Sequence, residues 1–267
     1  MTLPAKESPM KKILLFCCLA LLCACARQPV TEGGPDDQAA LEQRWKHFAA
    51  QDRPQAPYRL HMSLRFGTEG DTRRVTALFW GNGERGLRLD VMAGVGAVMA
   101  KVLEDGQHFL AYSPGENTAY FYQGATTPLL QLGVPVPFTL SRLADLLNGR
   151  YPAAFGRSHT HAQAAAENKA HYDLDGKPGG RLTLNAAGLP VGWQEQASGT
   201  GWRMEIAYAD DAPTLPSRLT LSHSNGKKAV LLVKQREAPA VPFAKEQMAL
   251  PLPQGTPLLP LAKFKQR

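Results

Sequence analysis

From Tyr58 onward the side chains alternate between apolar and polar. Leu60, Met62, Leu64 and Phe66 interleave with Arg59, His61, Ser63 and Arg65. Successive residues of a strand point to opposite faces, so this period of two specifies a strand with one face buried and one wetted. Similar runs follow over 75–80, 87–92, 98–103, 109–113 and 119–122. They are separated by Gly81-Asn82-Gly83, Glu104-Asp105-Gly106 and Ser113-Pro114-Gly115-Glu116-Asn117, all hairpin chemistry. Strands resume over 171–174, 181–184, 189–196, 202–208, 218–222 and 229–235, with Asn225-Gly226 as the last tight turn. Sequential hairpins make an antiparallel meander, and strands at this spacing form a curved sheet or barrel.

Helical signals fall in two places. Between the two groups of strands, 126–132 and 139–148 read as short helices around Pro135 and Pro137. The second has Thr139 as N-cap, Leu140, Leu143, Leu146 and Leu147 on one face, and Gly149 just past its end. Ahead of the first strand, Asp36 or Asp37 can cap a helix whose Leu41, Trp45 and Phe48 recur at i, i+4, i+7 and dock on the main body. The stretch 157–170 is polar and Ala-rich, and residues 238–267, rich in Pro and Leu, read as an irregular tail. About eleven antiparallel strands with helices in two places give an α+β layout, the helices covering one opening of the sheet. The chain has 267 residues, and 36–237 forms one domain without internal repeats.

The N-terminus carries a targeting signal. Met10-Lys11-Lys12 is a positive n-region, and 13–22 is almost unbroken apolar sequence. Ten or so apolar residues span about half of a ~30 Å bilayer core, which marks a signal peptide over 1–24 and not a membrane-spanning helix. The segment ends Leu22-Cys23-Ala24-Cys25, which resembles the lipobox of bacterial lipoproteins and makes Cys25 the lipidated residue. Ala26 implies, by the same resemblance, the periplasmic face of the outer membrane. Residues 25–35 then serve as a tether. Cleavage before Cys25 leaves Cys25 as the sole cysteine, so no disulfide framework or thiolate site is available. The formal net charge of +7 is spread along the chain, and no Lys/Arg run marks a nucleic-acid face.

Catalytic and cofactor motifs find little support. The segment from Gly81 to Gly86 matches GxGxxG, but it joins two strands and opens no helix, so it lacks the N-terminus that holds a pyrophosphate. His159 and His161 could share a strand face, but no third metal ligand has a recognisable spacing. A GxSxG elbow, an HExxH helix and a P-loop are missing. The expectation is a non-enzyme without cofactor or metal.

Apolar residues expected on the inner face are Leu60, Met62, Leu64, Phe66, Leu87, Leu89, Trp202, Met204, Ile206 and Tyr208. Beneath Leu-rich helices such a face either lines a cavity or is filled by the helices, and periodicity does not choose. A resemblance does. Trp80, Leu87-Arg-Leu-Asp-Val91, Val95-Gly96, Leu103-Glu-Asp-Gly106, Pro137 and Leu143-Ala-Asp-Leu-Leu-Asn-Gly149 look like the LolB family of outer-membrane lipoprotein receptors. Gly188-Leu189, Trp193-Gln194, Gly201-Trp202, Tyr208, Leu215-Pro216 and Arg218-Leu-Thr-Leu221 extend the similarity, which spans roughly 41–237. It implies an incomplete antiparallel β-barrel with a helical lid over an apolar cavity for lipoprotein acyl chains. The cargo would come from a LolA-like periplasmic carrier and be released into the outer membrane by a monomeric receptor. It also implies a protruding apolar loop, here Ala93-Gly94-Val95-Gly96-Ala97, in which Val95 replaces the family's exposed leucine. The same fold binding another lipid, or sensing envelope stress through a partner, is the alternative.

Overall fold

The computed structural model describes residues 35–83, 86–94, 96–123, 128–195 and 201–264. The signal peptide, Cys25, nearly all of the tether and Val95 lie outside the described residues. Helix α1 (Pro35–Ala49) is followed by β1 (Tyr58–Thr68), β2 (Asp71–Gly81), β3 (Leu87–Ala93), β4 (Ala97–Glu104), β5 (His108–Ser113) and β6 (Thr118–Gln123). Three short helices come next: α2 (Pro128–Gln131), α3 (Leu140–Leu147) and α4 (Tyr151–Phe155). The second meander is β7 (His159–Ala165), β8 (Lys169–Leu174), β9 (Gly180–Leu184), β10 (Pro190–Gln194), β11 (Trp202–Ala209), β12 (Ala212–His223) and β13 (Lys228–Glu237). The tail adds α5 (Lys245–Met248), β14 (Leu258–Pro260) and a 3₁₀ turn (Leu261–Lys263).

All fourteen strands belong to one sheet, ordered β14-β6-β5-β4-β3-β2-β1-β13-β12-β11-β10-β9-β8-β7. The meanders meet at β1 and β13, which pair antiparallel with a register shift between His61 and Met62. β14 and β7 are the edges, so the sheet is an incomplete barrel. The class is the expected α+β one, with two strands beyond the twelve runs read from the sequence. The first addition is β7. An edge strand half-buried at most shows no apolar alternation, and His159-Thr-His-Ala-Gln-Ala-Ala165 has none. The second is β14, three residues long and paired parallel to β6.

The inner face carries the core. Phe79, Leu182, Leu184, Met204, Leu219 and Leu221 point into it from the strands, with Phe48, Phe155 and the four leucines of α3 above them. Helix α1 buries Leu41, Trp45 and Phe48 at the expected spacing. It begins at Pro35, so Asp36 and Asp37 stand in its first turn and not at the N-cap. There the negative charge of Asp37 still complements the positive helix end. Trp45 packs on Tyr172 and His159, with ring centroids 4.9 and 4.4 Å apart. The Tyr172 hydroxyl donates to the Leu41 carbonyl at 2.8 Å. Gly188 lets the β9–β10 turn approach α1. Its φ of 75° and its distance of 2.9 Å from the Phe48 amide to a built Cβ leave no room for a side chain.

Candidate functional site: two cavities under a helical lid

Along β1 the inner face changes character. Leu60 and Met62 are 1% and 4% exposed, whereas Leu64 and Phe66, on the same face further along, are half-buried. On β3, Leu87 and Leu89 are likewise buried and Val91 is not. The lid thus seals the sheet at one end and stands off it at the other. The gap is a cavity of about 620 Å³. Its floor includes Met62, Leu64, Phe66, Ala77, Leu89, Val91 and Val102, and its roof Leu129, Leu132, Val134, Val136 and Leu143. Phe264 closes one side, edge-on to Tyr120 at 5.2 Å. Charged side chains stand at its rim: Asp71, Arg73, Arg74, Glu116 and Lys227.

The lid helix is α3. Thr139 is its N-cap, the side chain accepting from the Arg142 amide at 3.3 Å. At its other end the Gly149 amide donates to the Leu146 carbonyl and the Arg150 amide to the Asp145 carbonyl, the two bonds of a Schellman motif. Leu140, Leu143, Leu146 and Leu147 are all buried. At about 1.5–3 kcal/mol for each leucine removed from water, this face holds the helix down far more strongly than its eight-residue backbone could.

A feature hidden in the sequence adds a clamp. Glu104, at the end of β4, is buried, and its carboxylate accepts from the amides of Leu140 at 3.1 Å and Ser141 at 3.3 Å. Burial lifts its pKa above the usual carboxylate range, and the two amide bonds pull it partly back. Read as one residue of a hairpin turn, Glu104 gave no sign of this, because its partners lie 36 residues away. The turn itself is made by Asp105, whose carboxylate accepts from the amides of Gln107 and His108.

A second cavity of about 620 Å³ lies at the sealed end of the sheet, beside Ala144, Asp145 and Asn148 of the lid region. Leu60 and Leu87 line this one. The ten apolar residues expected on the inner face are therefore divided, and Tyr208, partly buried against the core, borders neither cavity. Met62, Leu64, Phe66 and Leu89 border the apolar cavity, and Leu60 and Leu87 the second. Trp202, Met204 and Ile206 are packed into the core of the second meander and border neither. Periodicity finds the inner face of a strand, but it cannot show where along that face the lid lifts off.

The β3–β4 hairpin tip is small and apolar. Gly94, Gly96 and Ala97 are exposed, Gly96 has φ 88°, and Met99 just beyond is 51% exposed. Gly81 ends β2 and Leu87 starts β3, so the GxGxxG match is a strand-to-strand connection. His159 leans on Trp45 and Tyr172, and among the described residues no three His, Cys, Asp or Glu side chains gather to hold a metal ion. No helix among the described residues is long and apolar enough to cross a membrane.

No family model and no curated protein matches this sequence. The fold, however, recurs. A DUF1329-family protein from Desulfovibrio piger superposes with a TM-score of 0.52 at 9% identity, covering 79% of this chain and 97% of that one. A putative outer-membrane lipoprotein-sorting protein domain from Vibrio parahaemolyticus gives 0.50 at 10%, covering 79% and 97%. A LolA superfamily protein from Nitrosomonas europaea gives 0.49 at 14%, covering 79% and 98%. At such identities the likeness is one of architecture: the chain shares its fold with the DUF1329-family protein and with the lipoprotein-sorting protein domain.

Proposed function

We propose that this protein is an acyl-chain-binding receptor, lipid-anchored through Cys25 at the periplasmic face of the outer membrane. It takes lipoproteins from a LolA-like carrier and passes them to the bilayer. The observation that supports this most directly is the apolar cavity of about 620 Å³ between the sheet and the lid. That volume lies within the range of small-ligand pockets, and its walls are aliphatic and aromatic apart from the rim. Acyl chains leaving such a cavity for a bilayer exchange one apolar surrounding for another. Transfer then needs no nucleotide and follows relative affinity. In this reading Val95, at the tip of the β3–β4 hairpin, enters the bilayer surface, and Cys25 keeps the receptor at its membrane.

The test is cargo binding and delivery. Lipid extraction of the purified protein followed by mass spectrometry should yield lipoprotein or acylated peptide, whereas a glycolipid would point to another cargo. Met62→Glu places a carboxylate among the chains, at a cost of several kcal/mol unless it protonates or reaches water. It should abolish binding of a fluorescent fatty acid while the fold persists. Val95→Glu should bind the same probe normally yet slow transfer from carrier to liposomes. A folded Met62→Glu variant with wild-type affinity would overturn the reading.

A further inference from the structure

The second cavity differs in chemistry from the first. It lies at the end of the sheet where β3 begins and β4 ends, with Leu87 paired to Glu104, and so at the opposite end from the β3–β4 tip. Three arginines line it: Arg53, from the loop before β1, Arg150 and Arg236. Three carboxylates line it too, and each is already engaged. Glu104 holds the amides of α3, Asp145 accepts from Arg150 at 2.7 Å, and Glu237 pairs with Arg59 and His61 at 3.2 and 3.0 Å.

Arg53 and Arg236 have only neutral oxygens as hydrogen-bond partners among the described residues. Arg53 donates to the Thr214 hydroxyl at 2.6 Å, and Arg236 donates to the Leu147 carbonyl at 2.7 Å and to the Pro216 carbonyl. Thr214 and Pro216 stand two residues apart on β12, a spacing of about 7 Å, so one short stretch of strand fastens both guanidiniums. The Tyr151 hydroxyl donates to the Thr214 carbonyl at 2.8 Å and feels both charges. Burial draws the Arg236 pKa down, and Arg53 adds to this against the opposing pull of Tyr151. Two like charges held this close repel, and an anion between them relieves the repulsion. Each guanidinium has five N–H donors, of which Arg53 uses one and Arg236 two, so both retain donors for an oxyanion.

We infer that the second cavity is a binding site for a small organic oxyanion, a carboxylate or phosphate monoester carried on an apolar body. Arg53 and Arg236 hold its oxygens, and Pro54, Ala56, Pro57 and Leu215 pack against the body. The fully buried leucines between sheet and lid separate this site from the apolar cavity, so it does not rest on the acyl-chain reading.

The test is calorimetric titration of the full-length protein with benzoate, phenyl phosphate, inorganic phosphate and benzamide, the last a neutral twin of benzoate in shape. At least one of the two organic anions should bind about tenfold more tightly than benzamide, and whichever binds better identifies the head as carboxylate or phosphate. Raising the salt concentration should weaken the anion and leave benzamide unchanged. Inorganic phosphate, without an apolar body, should bind more weakly than phenyl phosphate. Arg53 is exposed and glutamine can still donate to Thr214, so Arg53→Gln should keep the fold and the urea midpoint. It should bring the favoured anion down to the level of benzamide, and Arg53→Lys should recover most of the loss. Anions that bind no better than benzamide, a preference that survives Arg53→Gln, or inorganic phosphate binding as tightly as phenyl phosphate overturns the site. None of these probes carries an acyl chain, so each outcome leaves the acyl-chain reading to its own test.

Discussion

Glu104 is the point at which the first meander grips the lid. Its carboxylate answers two amides that α3 cannot satisfy for itself. Replacing it with alanine should cost about 1–3 kcal/mol. Glutamine, which keeps an acceptor without charge, should cost less. The pH dependence has a definite sign. Because burial raises the folded-state pKa, the folded protein holds this proton more tightly than the unfolded chain does. The contribution of Glu104 is therefore greatest at acid pH and declines as pH rises from the ordinary carboxylate value through the folded one. Urea titrations between about pH 4 and pH 7 should show this slope in the wild type and a flatter one in Glu104→Gln. Equal slopes would mean that the carboxylate is not buried in solution. Capping residues such as Thr139 are legible because they act within three residues. Glu104 was not, because its effect depends on a contact that only the folded sheet creates.

The same division appears among elements. Leu41, Trp45 and Phe48 announce an amphipathic α1, and Tyr58 to Phe66 announce a strand, because each has one wet face. The strand that α1 packs against, β7, is wet on both faces and carries no such mark. His159 joins the two elements. Packing against Trp45 and Tyr172 depresses its pKa through desolvation, opposed by Asp175 and Glu42 and reinforced by His161. A histidine held below its ordinary pKa of 6.5 stabilises the fold above that value and loses the contribution as pH falls through the depressed one. Docking of α1 should therefore loosen in mildly acid solution. Hydrogen exchange of the α1 amides, corrected for its intrinsic pH dependence, should quicken there in the wild type and not in His159→Phe. An identical acid response in both proteins would exclude His159 as the cause. Gly188→Ala, which sets a Cβ against the backbone of α1 at positive φ, should loosen the same helix by more than about 1 kcal/mol at every pH.

For the molecule as a whole, the segment after β13 decides how the sheet ends. Sequence suggested an irregular tail, and proline does keep most of it irregular. It nevertheless follows the outer face of the first meander, where Asn82 exchanges two hydrogen bonds with Phe243, at 3.0 and 2.7 Å. Arg88 donates to the Ala249 carbonyl, and Leu250 packs with Tyr112 and Ala119. β14 then covers the edge of β6 before Leu261 and Phe264 turn inward, Phe264 onto the wall of the apolar cavity. An uncovered edge strand invites pairing with another chain, and a three-residue strand ending in proline is a poor template for it. Deleting 256–267 should thus have two effects: self-association through β6, seen by light scattering, and faster release of a bound fatty-acid probe. Phe264→Ala separates them, since it removes the cavity wall but leaves β14 in place. It should quicken release while the protein stays monomeric. If the deletion remains monomeric and holds the probe as long as the wild type does, β14 neither guards the edge nor helps to close the cavity.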